Sequence, residues 1–353
     1  MTRKTVLIDL SDLNNPTCGF GQIAINYAKH FSALRLPDIR FVFLLPEGCT
    51  LQFPEHVECH YVRRKKKNTY RNLPHVDLWH SVNQNQLYNN AGSSTPLLLT
   101  IHDLNFLREK GWLSQLKHLF RLKRQIRHAH TLTAISQFVA NEIQSHFNLG
   151  RRELKVIYDA VERIDQKPQA QPAFASPHQP FFFTIGQIRW KKNFHLLLDV
   201  MKHFPDHNLY ICGDDHFDAG QHIRQRIADE HLSNVLLTGK VTDAERIWLY
   251  AHCHAFLFPS QGEGFGLPVI EAMQFGRAVF VAPFTCLPEI AGGHAFVWND
   301  IKTDTMAEGI RTHLTDFYQH PEHIQAMKDY AQSFSYDHHV EQYIELYRKI
   351  LAL

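Results

Sequence analysis

The stretch FPSQGEGFGLPVIEAMQFG, residues 258–276, holds the densest chemistry in the chain. Glycines at 262, 264 and 266 allow a tight loop, and Pro268 suits the first turn of a helix, where a missing N–H costs little. A bare loop feeding a helix N-terminus favours phosphate through exposed N–H groups and the helix dipole. Two carboxylates flank it, Glu263 in the loop and Glu271 in the first turn of the predicted helix. Carboxylates repel phosphate, so their partners are hydroxyls, and one carboxylate accepts from two vicinal hydroxyls of a ribose or a hexose. Phosphate, ribose and sugar together describe a nucleotide-sugar.

The rest of the chain alternates short apolar runs with amphipathic segments. Before residue 160 the predicted strands are 5–10, 41–45, 76–80, 96–101, 131–135 and 154–158, and the clearest helices are 21–34, 112–128 and 137–147. Residues 165–180, with four prolines, interrupt the pattern. It resumes with strands at 181–185, 209–212, 234–239, 255–258 and 278–282. Such alternation predicts mostly parallel sheets covered by helices on both faces. The expected organisation is a domain over 1–165, a linker over 166–179, a second domain over 180–335 and a helix over 336–353 that crosses back to the first.

At 353 residues, with 44% hydrophobic and 20% charged residues, the chain reads as a soluble two-domain protein. Its six cysteines show no CxxC spacing and predict reduced, buried thiols of a cytoplasmic protein. No run approaches the roughly 20 apolar residues of a membrane span. The acidic clusters lack a convincing metal-ligand arrangement, and a net charge of +2 without a nucleic-acid-binding motif argues against a nucleic-acid partner.

The span Glu263-GFGLPVI-Glu271 resembles the E-x7-E motif of the retaining glycosyltransferases of the GT-B fold, family 4 in particular. Other landmarks follow in order: CGFGQIA (18–24), LLLTIHDLNFL (97–107), AISQFVANEI (134–143), KVIYDAVE (155–162), GQIRWKKN (186–193) and LPEIAG (287–292). The resemblance implies two doubly wound, Rossmann-like α/β domains facing each other across a cleft. It implies a UDP- or GDP-linked hexose donor and a glycan or lipid-linked glycan acceptor. It further implies no cofactor, no metal, and transfer with retention by a front-face route.

The same resemblance distributes the roles. Lys192 would hold the diphosphate with Arg189 or Lys191 beside it, in the loop that Gly186 opens. Gly19 and Gly21 would let a first-domain loop approach the donor, and His102 would face the reacting sugar. Glu263 would take sugar hydroxyls and Glu271 the ribose. The backbone of Phe265, Gly266 and Leu267, with the turn at Val241, would complete the donor site. An inactive nucleotide-sugar-binding homologue or a GT-B-fold epimerase is the alternative.

RRKKK (63–67) and the segment from Arg108 to Arg127 make the first domain basic. In the second of these, Trp112, Leu116, Leu119, Phe120 and Ile126 form an apolar stripe beside Lys117, Arg121, Arg124 and His128. Two readings stand: the stripe packs on its own sheet, or the helix rests on an anionic membrane at the inner face of the cytoplasmic membrane.

Overall fold

A computed structural model describes residues 3–13, 19–62, 73–85, 95–176 and 178–353. The chain forms two compact units, Met1–Tyr158 with Tyr336–Leu353, and Asp159–Ser335.

In the first unit the strands are β1 (Lys4–Asp9), β2 (Ile39–Pro46), β3 (Glu58–Val62), β4 (Leu78–Ser81), β5 (Leu97–Ile101), β6 (Thr131–Ala134) and β7 (Glu153–Val156). They lie in the order β3-β2-β1-β4-β5-β6-β7. The second unit holds β8 (Phe181–Ile185), β9 (Asn208–Cys212), β10 (Val235–Gly239), β11 (Ala255–Phe258), β12 (Ala278–Val281) and β13 (Phe296–Val297), in the order β10-β9-β8-β11-β12-β13. Every pairing among these strands is parallel. Parallel strands covered on both faces need continuous apolar runs. Such runs are what the sequence supplies, and β4, β5, β6, β11 and β12 are buried throughout.

Helices connect them: α1 (Gly19–Ser32), α2 (Phe106–Glu109), α3 (Trp112–His128), α4 (Gln137–His146), α5 (Phe194–Met201), α6 (Asp218–Asp229), α7 (Asp243–His252), α8 (Leu267–Gln274), α9 (Leu287–Ala291), α10 (Thr303–Phe317), α11 (Pro321–Gln332) and α12 (Tyr336–Leu351). In each sheet the strand order reverses once, between β1 and β4 and between β8 and β11. Outside the carboxyl ends of the strands at such a switch point, open α/β sheets bind their ligands.

The structure departs from the sequence reading in four places. Gly19 and Gly21 lie in α1 itself, so neither belongs to a loop; residues 14–18, between β1 and α1, fall outside the described residues. Strands β3 and β13 are additional. The first is a half-exposed edge strand with little apolar signal, and the second is two residues long. The proline-rich stretch expected to link the domains packs on the second unit. There Ala170 N–H donates to Ala244 O (3.0 Å), and the Phe174 ring meets Tyr210 edge-on at 5.2 Å. Finally, α3 buries only Leu122 and Ile126 of its apolar residues. The cluster RRKKK lies outside the described residues.

Helix α12 belongs to the first unit. It places Val340, Tyr343, Ile344, Leu346 and Tyr347 in one core with Tyr27 and Phe31 of α1. Polar groups fix its register: His80 Nδ1 lies 2.7 Å from the Tyr347 hydroxyl and His80 Nε2 2.9 Å from Thr100 Oγ1, which in turn lies 3.0 Å from the Tyr343 hydroxyl. Burial, with repulsion from His339 and His102, pushes the His80 imidazole from 6.5 down to about 3.

Below 6.5 the unfolded chain takes up this proton while the folded chain refuses it, so stability is complete above that pH and drains away towards pH 3. From this group alone the loss is on the order of 5 kcal/mol. Urea denaturation at stepped pH should therefore give a shallower acid loss for His80→Gln than for wild type, and parallel slopes would contradict the assignment.

Candidate functional site

At the switch point of the second sheet, two loops leave the carboxyl ends of β8 and β11. The first begins at Gly186, whose φ of +155° suits glycine, and its N–H donates to Cys212 O at 3.1 Å. A Cβ on Gly213 (φ +128°) would stand 1.9 Å from Gly186 O, so the exits of β8 and β9 touch only because that residue is glycine. Trp190–Lys192 then make one turn of 3-10 helix. Asn193 follows in the left-handed region (φ 54°) and opens α5, its Nδ2 donating to Pro259 O at 3.0 Å. Gln261 N–H donates to Lys191 O at 2.8 Å. Both links bind the loops into one ledge.

On this ledge Lys192 Nζ and Glu263 Oε1 form an ion pair, with only 12% and 14% of the two side chains exposed. Ser260 Oγ donates to the same Glu263 oxygen at 2.6 Å, and Lys192 Nζ sits 5.0 Å from the centroid of the Phe258 ring. A cation and a carboxylate are thus held side by side beyond β11.

Helix α8 begins directly after this loop. Gly266 (φ +103°) is its N-cap and Pro268 lies in its first turn; a Cβ at Gly266 would come within 3.0 Å of Leu287 Cδ2. Phe265 is buried against Phe334, and Cys286 Sγ donates to its carbonyl at 3.0 Å. Glu271 then faces α7, where Arg246 Nη1 donates to Oε1 at 2.6 Å and the Tyr250 hydroxyl to Oε2 at 2.8 Å. The carboxylate raises the Arg246 guanidinium pKa, and burial first, then Glu271, raises that of the Tyr250 phenol. Both donors stay protonated and hold Glu271 in one orientation, with 18% of its side chain exposed.

Gly186, Lys191, Lys192, Glu263, Phe265, Gly266, Leu267 and Glu271 therefore lie on adjoining elements of one unit. Arg189 is exposed, bonded to Gln187 Oε1 (3.1 Å) and stacked 4.0 Å over the Phe217 ring. Val241 is half-buried in the turn before α7, next to the Thr242–Glu245 capping box. His102 belongs to the first unit, as do Gly19 and Gly21. It is 3% exposed at the end of β5, with Nε2 hydrogen-bonded to Val82 O at 2.7 Å.

Four contributors escaped the sequence reading: Phe258, Ser260, Arg246 and Tyr250. A signal existed for the last two, since Arg246 and Tyr250 stand four residues apart on one face of a helix. For metals, His320, Glu322 and His323 at the start of α11 bring ligand atoms within 4.8 Å of one another on the surface. They belong to neither loop of the ledge.

Comparison with known proteins bears on the fold and on relatives of the second unit. Residues 165–334 match the glycosyl transferases group 1 family. Relatives include the O-antigen chain mannosyltransferase RfbU of Salmonella typhimurium, 25% identical over 68% of this chain and 65% of that one. The serotype-specific mannosyltransferase WbdA of Escherichia coli is 27% identical over 54% of this chain and 25% of its own length. The matched segments thus span less than two thirds of these relatives. Among solved structures, sucrose-phosphate synthase from Thermosynechococcus elongatus superposes with a TM-score of 0.79 at 15% identity, covering 99% of this chain and 100% of that one. Anabaena HepE in complex with UDP and glucose gives 0.74 at 17% identity, with full coverage of both. The fold is that of the GT-B glycosyltransferases.

Two substitutions probe the ledge and its support. Gly213→Ala must displace the Gly186 carbonyl and should cost about 2 kcal/mol or more. Removing the Tyr250 hydroxyl in Tyr250→Phe should cost about 1–2 kcal/mol, as a hydrogen bond to a charged group does. Urea denaturation measures both, and wild-type midpoints would contradict the packing described.

Proposed function

We propose that the chain transfers a hexosyl group, mannosyl in the first instance, from a nucleoside diphosphate sugar to a glycan or lipid-linked glycan during lipopolysaccharide or related cell-surface polysaccharide synthesis. The observation that carries this reading is the Lys192–Glu263 pair at the switch point of the second sheet, immediately before α8. The names of the relatives support the sugar and the pathway.

Each side chain has a chemical task. Lys192 and the N-terminus of α8 receive the diphosphate, and they stabilise the charge that grows on it as the glycosidic bond breaks. Glu263, fixed by Ser260, accepts hydrogen bonds from sugar hydroxyls. Glu271, steered by Arg246 and Tyr250, accepts from the ribose diol. In the front-face route, the bond from the anomeric carbon to the diphosphate oxygen breaks, and a bond to the acceptor oxygen forms on the same face. The acceptor's proton passes to the departing diphosphate, so the configuration is retained. Fixed positive charge from Lys192 and α8 lets the step proceed without a divalent cation. This mechanism rests on the E-x7-E resemblance and on the residue types at the ledge.

A thermal-shift panel of UDP, GDP and their hexose conjugates identifies the donor. The correct ligand, at a hundredfold excess over its dissociation constant, stabilises by about 2.7 kcal/mol. Transfer from that donor should survive EDTA and fall at least about a hundredfold in Lys192→Met and Glu271→Gln. The variants should melt a few degrees lower, because each leaves a half-buried partner charge. No shift with any of these ligands, or full turnover by either variant, would contradict the reading.

A further inference from the structure

Helix α3 has two apolar faces, and only one is accounted for by the fold. Leu122 and Ile126 point into the first unit. Trp112, Leu113, Leu116 and Phe120 point outward, with 69%, 66%, 54% and 74% of their surface exposed. The positions 112, 116 and 120 recur every fourth residue, so these side chains form one stripe over the first turns of the helix. Scattered surface leucines need no explanation, but four large exposed side chains in one stripe, a tryptophan and a phenylalanine among them, mark a contact surface.

The charge around the stripe selects its partner. Between Lys110 and His128 the sequence holds Lys110, Lys117, Arg121, Lys123, Arg124 and Arg127 and not one Asp or Glu. Lys117, Lys123, Arg124 and Arg127 are exposed. His118 registers this field: burial and then Lys110, Arg121 and Lys117 lower its pKa. A second copy of the same face would oppose cation to cation, which disfavours a symmetric dimer. Apolar side chains flanked by uncompensated cations fit the headgroup region of an anionic bilayer, where rings and leucines enter the acyl boundary and basic groups meet lipid phosphates.

We infer that the exposed face of α3 is a docking surface for an anionic phospholipid membrane, with Trp112, Leu113, Leu116 and Phe120 inserting and Lys117, Lys123, Arg124 and Arg127 meeting the headgroups. The helix starts eleven residues after the end of β5, on the carboxyl edge of the first sheet. Docking there holds that edge at the lipid surface. Among the described residues no helix is long and apolar enough to cross a membrane. The inference is independent of the donor chemistry, because it concerns another helix and another ligand.

Flotation of the full chain with vesicles tests it. Wild type should float with phosphatidylcholine vesicles containing phosphatidylglycerol, stay in solution with phosphatidylcholine alone, and release progressively as salt rises. Trp112→Ser with Phe120→Ser, and separately Lys117→Glu with Arg124→Glu, should each lower the partition coefficient about tenfold or more, at unchanged melting temperature. All these side chains are exposed, so folding is a controlled variable. Failure to bind anionic vesicles, or retention of binding in the Trp112/Phe120 variant, would overturn the inference. So would sedimentation showing a dimer that this variant dissolves, since the stripe would then serve a second copy.

Discussion

The arrangement depends on one ion pair. Lys192 comes from the loop after β8 and Glu263 from the loop after β11, two strands that adjoin only because the sheet order reverses there. Neither side chain would hold its place alone. A half-buried ammonium without a counter-charge is costly, and so is a half-buried carboxylate. Their pairing, with Ser260 on the same oxygen and Gln261 N–H on the Lys191 carbonyl, turns two glycine-bearing loops into a fixed surface. Phosphate and hydroxyl groups of one ligand would divide between the two charges. Preorganisation of this kind is what gives an electrostatic site its catalytic effect.

A second carboxylate is held by a different logic. Glu271 accepts a hydrogen bond at each carboxylate oxygen from α7, one from Arg246 and one from Tyr250. Arg246, with 21% of its side chain exposed, is thereby compensated, and Tyr250, fully buried, finds an acceptor for its hydroxyl. The α7–α8 contact is therefore structural and, on the proposed ribose-binding role of Glu271, would also set ligand geometry. On that reading a substitution there should affect stability as well as ligand geometry, which distinguishes it from a change at an exposed group such as Arg189.

Much of this was legible in the residues, for a physical reason. Strands of a covered parallel sheet must be apolar on both faces, so FFFTI, AFLF and AVFV announce themselves without neighbours. The edge strand ECHYV announces little, because one side faces water. Pro268 and the surrounding glycines placed the start of α8 from local sterics alone. Partners distant in sequence were illegible: nothing local ties Arg246 to Glu271, twenty-five residues on. Prolines at 168 and 172 read as a linker, yet Phe174 and Ala175 among them anchor the segment on the second unit. The stripe on α3 was visible as a pattern, but only its exposure shows that it faces away from the core.

On the proposed function, Lys192 and Glu263 act as a unit on a nucleoside diphosphate sugar. Calorimetric titration of wild type, Lys192→Met, Glu263→Gln and the double variant, with the nucleoside diphosphate and with its hexose conjugate, measures this directly. Loss of Lys192 should weaken both ligands about tenfold or more, loss of Glu263 chiefly the conjugate, and the two losses should couple by about 1 kcal/mol or more. Strictly additive losses, or wild-type affinity for both ligands in Lys192→Met, would contradict it.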